Sequence, residues 1–144
     1  MSVQSLGVAL LRVGLGVIFV MHGYLGLVVI GPTGIAGYTV LMGYPAVVAP
    51  LLAWYLILVH GGGGLLVLLG LWTRWAALAQ LPIMASALVL HHLRQGFFLT
   101  GIVVDPAAGR AIAGGYEYVL LVVLATVALA CLGGGALALD RLRG

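Results

Sequence analysis

Apolar positions dominate the chain in long runs, with few polar residues inside them. A bilayer span needs about 20 predominantly apolar residues. Runs of that kind occur at about 4–29, 47–71, 74–93 and 114–139. They predict an all-α membrane protein: a four-helix transmembrane bundle in a single domain covering residues 1–144. Between the first two spans, Gly31-Pro32-Thr33-Gly34 reads as a stop signal. Residues 31–50 carry too many glycines and prolines for a full span. They are expected to form a short interfacial helix or a loop, with Tyr38 and Tyr44 at headgroup depth.

The later breaks are shorter. Leu71-Trp72-Thr73-Arg74-Trp75 reads as a tight turn with an aromatic–arginine anchor at the membrane interface. Pro82 falls inside the third span and predicts a kink. Residues 94–113 form a second loop, with a turn at Asp105-Pro106 and Gly109. The second span contains His60-Gly61-Gly62-Gly63-Gly64. In lipid such a segment stays helical because its backbone groups need internal partners. Its small residues are read first as a close-packing face, and second as a kink or widening beside His60.

Composition sharpens this picture. Of 144 residues, 64% are hydrophobic and 6% charged, against about 25% charged in a soluble domain. The chain is therefore expected to be integral to a membrane. Its six basic residues are all arginine and lie dispersed, which excludes a basic face for nucleic acid. Cys131 is the single cysteine; it excludes an intrachain disulfide and reads as a small apolar thiol. The first apolar run reads as a retained span, since Arg12 interrupts it and no cleavage site follows. Arg12, Arg74, Arg141 and Arg143 fall on one side of a four-span topology, and Arg94 and Arg110 on the other. The positive-inside rule then places both termini in the cytoplasm, as ends of a multi-pass membrane protein.

Ionisable groups inside spans mark partners, cavities or sites. Depth along each span brings His22, His60, His91, His92 and Glu117 into the outer half of the bundle, with Tyr24 nearby. His91 and His92 are adjacent, so only one of them is expected to face the centre. Arg12 and Asp140 gather at the inner end as a candidate structural ion pair. The outer cluster could be a set of hydrogen bonds that fixes packing. It could equally be a site, because histidine titrates near neutrality and suits proton exchange with a redox ligand. Haem or a metal is a lesser candidate, and no metal-site motif is present. The residues do not identify a cofactor and leave catalysis open.

Several pieces together resemble the DoxX family of small bacterial and archaeal membrane proteins. They are Arg12 through His22-Gly23, the run GGLLVLLGLWTR from Gly63 to Arg74, Tyr116-Glu117-Tyr118, and Gly133-x-Gly135 followed by Leu139-Asp140-Arg141. The resemblance implies a four-helix membrane bundle with Arg12, His22, Glu117 and Asp140 as its polar positions. Some related proteins are subunits of thiosulfate:quinone oxidoreductase. In one departure, His60 stands about where family members commonly carry a glutamate. The expectation that follows is a quinone-linked redox protein or subunit. The alternative is a non-catalytic accessory subunit of a larger respiratory or photosynthetic complex, with its glycine faces as contact surfaces. A small transporter or proton conductor ranks last. Expected partners are the bilayer and other membrane subunits or further copies of the chain.

Overall fold

The computed structural model describes residues 2–98, 102–105, 110–113 and 115–142, with 102–105 and 110–113 described by backbone alone. Helix α1, Val3–Tyr24, starts at Ser2, whose hydroxyl accepts the Ser5 N–H at 3.2 Å. Such a cap satisfies one of the donors orphaned at a helix start. The helix runs on through a π-helical segment, Leu25–Ile30, and α2, Gly31–Leu41, follows directly in a run of 39 residues. The stop expected at Gly31-Pro32 is a break between two helices, with no loop between them. Gly31 takes φ +78 and redirects the chain, and Pro32 occupies the first turn of α2. A missing N–H has no cost there. Of the two readings for residues 31–50, the short helix is the one found, at Gly31–Leu41.

The second membrane-length helix is built from α3, Ala49–Leu58, a π-helical segment, Val59–Gly63, and α4, Gly64–Leu69. It starts and ends two residues inside the expected 47–71. Gly70, at φ +71, stops it in the left-handed conformation that glycine adopts without strain. Helix α5, Thr73–Leu90, contains Pro82 and ends before His91, short of the expected residue 93. A single 3-10 turn, His92–Gln95, follows.

Two further expectations are corrected. The second loop contains an antiparallel hairpin, β1 (Ile102–Asp105) with β2 (Arg110–Ala113), in which Ile102 faces Ala113 and Asp105 faces Arg110. Among the described residues, all other regular secondary structure is helical. Pro106 and Gly109, expected in the turn, lie outside the described residues, as do Gly114 and Arg143. The last helix, α6, is Glu117–Leu132, far shorter than the expected 114–139. Apolar residues continue beyond Leu132, but Gly133 and Gly135 take φ +81 and +67 and unwind the chain. At about 1.5 Å per residue, α6 is about 24 Å long, short of a hydrocarbon core of about 30 Å. Three runs are long and apolar enough to cross a membrane: Val3–Leu41, Ala49–Leu69 and Thr73–Gln95.

Leu15 and Phe19 of α1, Val67 of α4, Ala76 and Ala77 of α5, and Val122 and Leu129 of α6 form the central core. A smaller core joins Ile35 of α2 to Ala53 and Ile57 of α3. Glycines let α1 meet the second helix almost backbone to backbone. A Cβ on Gly16 would lie 2.6 Å from Leu68 Cα, one on Gly64 2.7 Å from Phe19 Cβ, and one on Gly23 would collide with Gly61. Small residues at such positions permit the close approach. The glycine run thus supports both of its readings: close packing at Gly61 and Gly64, and a local widening at Val59–Gly63.

Candidate functional site

Each of the two helices carries one π-helical segment, Leu25–Ile30 and Val59–Gly63, whose extra residues widen it. A cavity of about 420 Å³ opens beside them, bordered by Leu25, Gly26 and Ile30 of the first segment and by His60 of the second. π-helical turns recur at functional sites because the extra residue re-aims side chains. Other walls come from Phe19 and His22 of α1, Tyr38 of α2, Met84 of α5, His92, and Tyr118 and Val122 of α6. Most of these residues are apolar, with a few convergent polar groups, the usual make-up of a small-molecule pocket.

His60 is the most enclosed of the histidines, at 5% exposure. Its ring meets Phe19 edge-on at 5.4 Å and His22 at 6.2 Å. Its Nδ1 is buried and has no hydrogen-bond partner among the described residues. The widened turn that carries it is held from α5, where Gln80, fully buried, donates from Nε2 to the Val59 carbonyl at 2.7 Å. His22 is exposed on the protein surface. Its Nδ1 lies 2.8 Å from the Ile18 carbonyl. A carbonyl only accepts, so Nδ1 is the donor in this contact.

Of the adjacent pair, His92 borders the cavity. Its Nδ1 is likewise buried without a partner among the described residues. His91 packs edge-on against Tyr38 and His92, at 6.1 and 4.9 Å, and lies 3.0 Å from Gln95 Nε2. Glu117 opens α6 with its N–H bonded to the Phe97 carbonyl at 3.1 Å, and the cavity wall there is its neighbour Tyr118. Tyr24 is 52% exposed and does not border the cavity. The structure therefore gathers His22, His60 and His92 and leaves His91, Glu117 and Tyr24 outside the wall. Sequence pattern does not single out Gln80, Phe19 or the π-helical segments. Gln80 does leave a signal: it is the one amide in the middle of the third apolar run, where a polar group needs a partner.

The opposite end is a separate polar cluster. Arg12 is 3% exposed and donates from Nη2 to the carbonyls of Ala136 and Leu137, at 3.4 and 3.5 Å. Asp140 accepts from the Trp72 N–H at 2.6 Å, the Thr73 N–H at 2.9 Å and the Thr73 hydroxyl at 2.8 Å. Arg12 and Asp140 thus share one end of the molecule, and these hydrogen bonds have separate partners. Both sets fasten the segment after α6 to the bundle.

The DoxX family profile matches residues 7–93. The chain belongs to the DoxX family. The match takes in Arg12, His22, His60 and Gln80, and it ends before α6. Membership in DoxX agrees with the three membrane-length helices and makes this an integral, multi-pass membrane protein in contact with lipid. No curated protein and no solved structure matches the chain. Among the described residues, no three or more of histidine, cysteine, aspartate and glutamate are grouped so as to hold a metal ion.

Proposed function

We propose that this DoxX protein is a quinone-linked redox protein or subunit, and that the histidine-walled cavity holds the quinone ring. The observation that carries this reading is the His60 Nδ1, buried and without a partner among the described residues, at the wall of a mostly apolar cavity of about 420 Å³. An isolated buried polar atom in such surroundings is costly, and a ligand with a polar ring substituent would relieve that cost. A bound quinone would supply coupled electron and proton exchange. Within the chain, His60 and His22 would hydrogen-bond the ring substituents, and Phe19 would fix the His60 ring. Glu117, beside Tyr118 at the mouth of α6, would exchange protons with the adjoining aqueous side. In this reading α6, with its flanking residues, is the fourth span of the single domain. Both termini are cytoplasmic in a prokaryotic plasma membrane, and a second redox subunit supplies the other half-reaction.

The purified chain titrated with a water-soluble quinol analogue tests this. Saturable binding that weakens at least about ten-fold in His60→Leu is the expected result, since a lost charge-free hydrogen bond plus its orphaned partner is worth about 1–3 kcal/mol. Binding absent from the wild-type chain, or equal in wild type, His60→Leu and His22→Leu, overturns it.

One feature favours the accessory-subunit reading as a second candidate. Gly7 and Gly14 lie on an exposed side of α1, where an added Cβ would meet nothing within 4 Å. A neighbouring helix could pack there, and stable co-purification with a larger complex is what that reading requires.

A further inference from the structure

At the Arg12 end of the bundle a second, more open cavity of about 650 Å³ lies between the start of α1, the Trp72–Trp75 turn and the segment after α6. Its rim carries Arg74 and Arg141, both exposed. Arg74 lies over Gly133, where a Cβ would come within 3.2 Å of its Nε. Arg141 is steadied by a hydrogen bond from Nη2 to the Ser5 hydroxyl at 3.1 Å. Among the described residues, the only carboxylate in the lining is Asp140. Its oxygens face the start of α5, where they accept from Trp72 and Thr73. The cavity therefore offers two guanidiniums and hydroxyl donors against one carboxylate already engaged by the backbone. Trp72 and Trp75 stand beside it at 57% and 74% exposure. Tryptophans settle at headgroup depth, at the boundary between hydrocarbon and water.

From this juxtaposition we infer that the cavity is a binding site for the phosphate headgroup of an anionic phospholipid. The guanidinium groups would take the phosphate, since arginine's planar donors match its oxygens. Trp75 and Leu132 would lie along the upper acyl chain. A lipid is favoured over a free anion because the cavity sits at the end of three apolar helices, where anionic headgroups are concentrated. The site is distinct from the histidine-walled cavity and does not depend on how that cavity is used.

The full-length chain in mild detergent, titrated with short-chain phosphatidylglycerol carrying brominated acyl chains, tests the inference through tryptophan quenching. Trp54 lies outside this cavity, so Trp54→Phe removes its background. The expected result is saturable quenching by phosphatidylglycerol, at least ten-fold weaker quenching by brominated phosphatidylcholine, and a roughly five-fold loss of affinity for each of Arg74→Gln and Arg141→Gln. That magnitude follows from about 1 kcal/mol per arginine near an anionic surface. Retained thermal unfolding midpoints in the variants show that the fold is intact. Equal quenching by the two lipids, or no change in folded arginine variants, overturns the inference. Inorganic phosphate displacing phosphatidylglycerol at comparable concentration assigns the site to a free anion and overturns the lipid.

Discussion

Gln80 is a long polar side chain with no exposure, inside a helix that otherwise faces lipid and core. Its position becomes intelligible from what it touches. A π-helical turn lengthens the hydrogen-bonded loop from i+4 to i+5 and leaves carbonyls poorly paired, and Gln80 Nε2 supplies a donor to one of them at Val59. The amide also packs against Gly63, where a Cβ would lie 3.2 Å from Nε2. Leucine at this position would keep the volume and remove the donor. We expect Gln80→Leu to lower stability by about 0.5–2 kcal/mol, the range measured for side-chain hydrogen bonds between membrane helices. Unfolding by sodium dodecyl sulfate, followed by circular dichroism in mixed micelles, reads the change. A variant as stable as wild type would show that the π-helical turn holds itself. Tyr55 makes a comparable tie between the same two helices, donating to the Ala79 carbonyl at 2.6 Å close to Pro82.

Between elements, the glycines divide into two groups that the sequence presents as alike. Gly23 meets the Gly61 backbone, and neither chain can yield without separating α1 from the second helix. Gly62, in the same run, has nothing within 4 Å. Gly23→Ala should therefore cost about 1–3 kcal/mol through overpacking. Gly62→Ala should be neutral or stabilising, because alanine favours helix by up to about 1 kcal/mol. The same detergent unfolding titration compares them, and equal effects would refute the close approach at Gly23. This contrast also marks what the sequence can disclose. The apolar runs and their turns were legible because lipid burial demands length and hydropathy, which are local properties. Helix ends at Leu41 and Leu132 were not, because a new helix, α2, starts at the Gly-Pro pair and α6 stops within an apolar stretch. Those outcomes depend on backbone angles that only glycine reaches, at Gly31 and Gly133. Convergence of His22, His60 and His92 followed from depth along the spans. Exclusion of Glu117 in favour of Tyr118 turned on helix phase, where adjacent residues differ by about 100°.

For the whole molecule, the decisive quantity is the length of the fourth segment. Helix α6 alone is too short to cross a bilayer unaided, yet it packs over its length against α5 and shares the core through Val122 and Leu129. Beyond Leu132 the chain does not trail away. The Ala136 N–H donates to the Ser5 carbonyl at 2.9 Å, and the Asp140 N–H donates to the Gly70 carbonyl at 2.8 Å. Arg12 holds the carbonyls of Ala136 and Leu137. These bonds tie the segment after α6 to the start of α1 and to the turn before α5. Protein contacts thereby satisfy irregular backbone at the membrane edge, which lipid alone does not tolerate. With α6 as the proposed fourth crossing, both ends of the chain emerge on one face and the 3-10 turn after α5 on the other. Single cysteines at Ser2, Leu142 and Phe98, each in a Cys131→Ala background, report on this in sealed inside-out vesicles treated with a membrane-impermeant maleimide. Ser2→Cys and Leu142→Cys should label together, and Phe98→Cys only after the vesicles are opened. If Ser2→Cys and Leu142→Cys label from opposite faces, α6 does not cross, and the histidine-walled cavity loses the wall formed by Tyr118 and Val122.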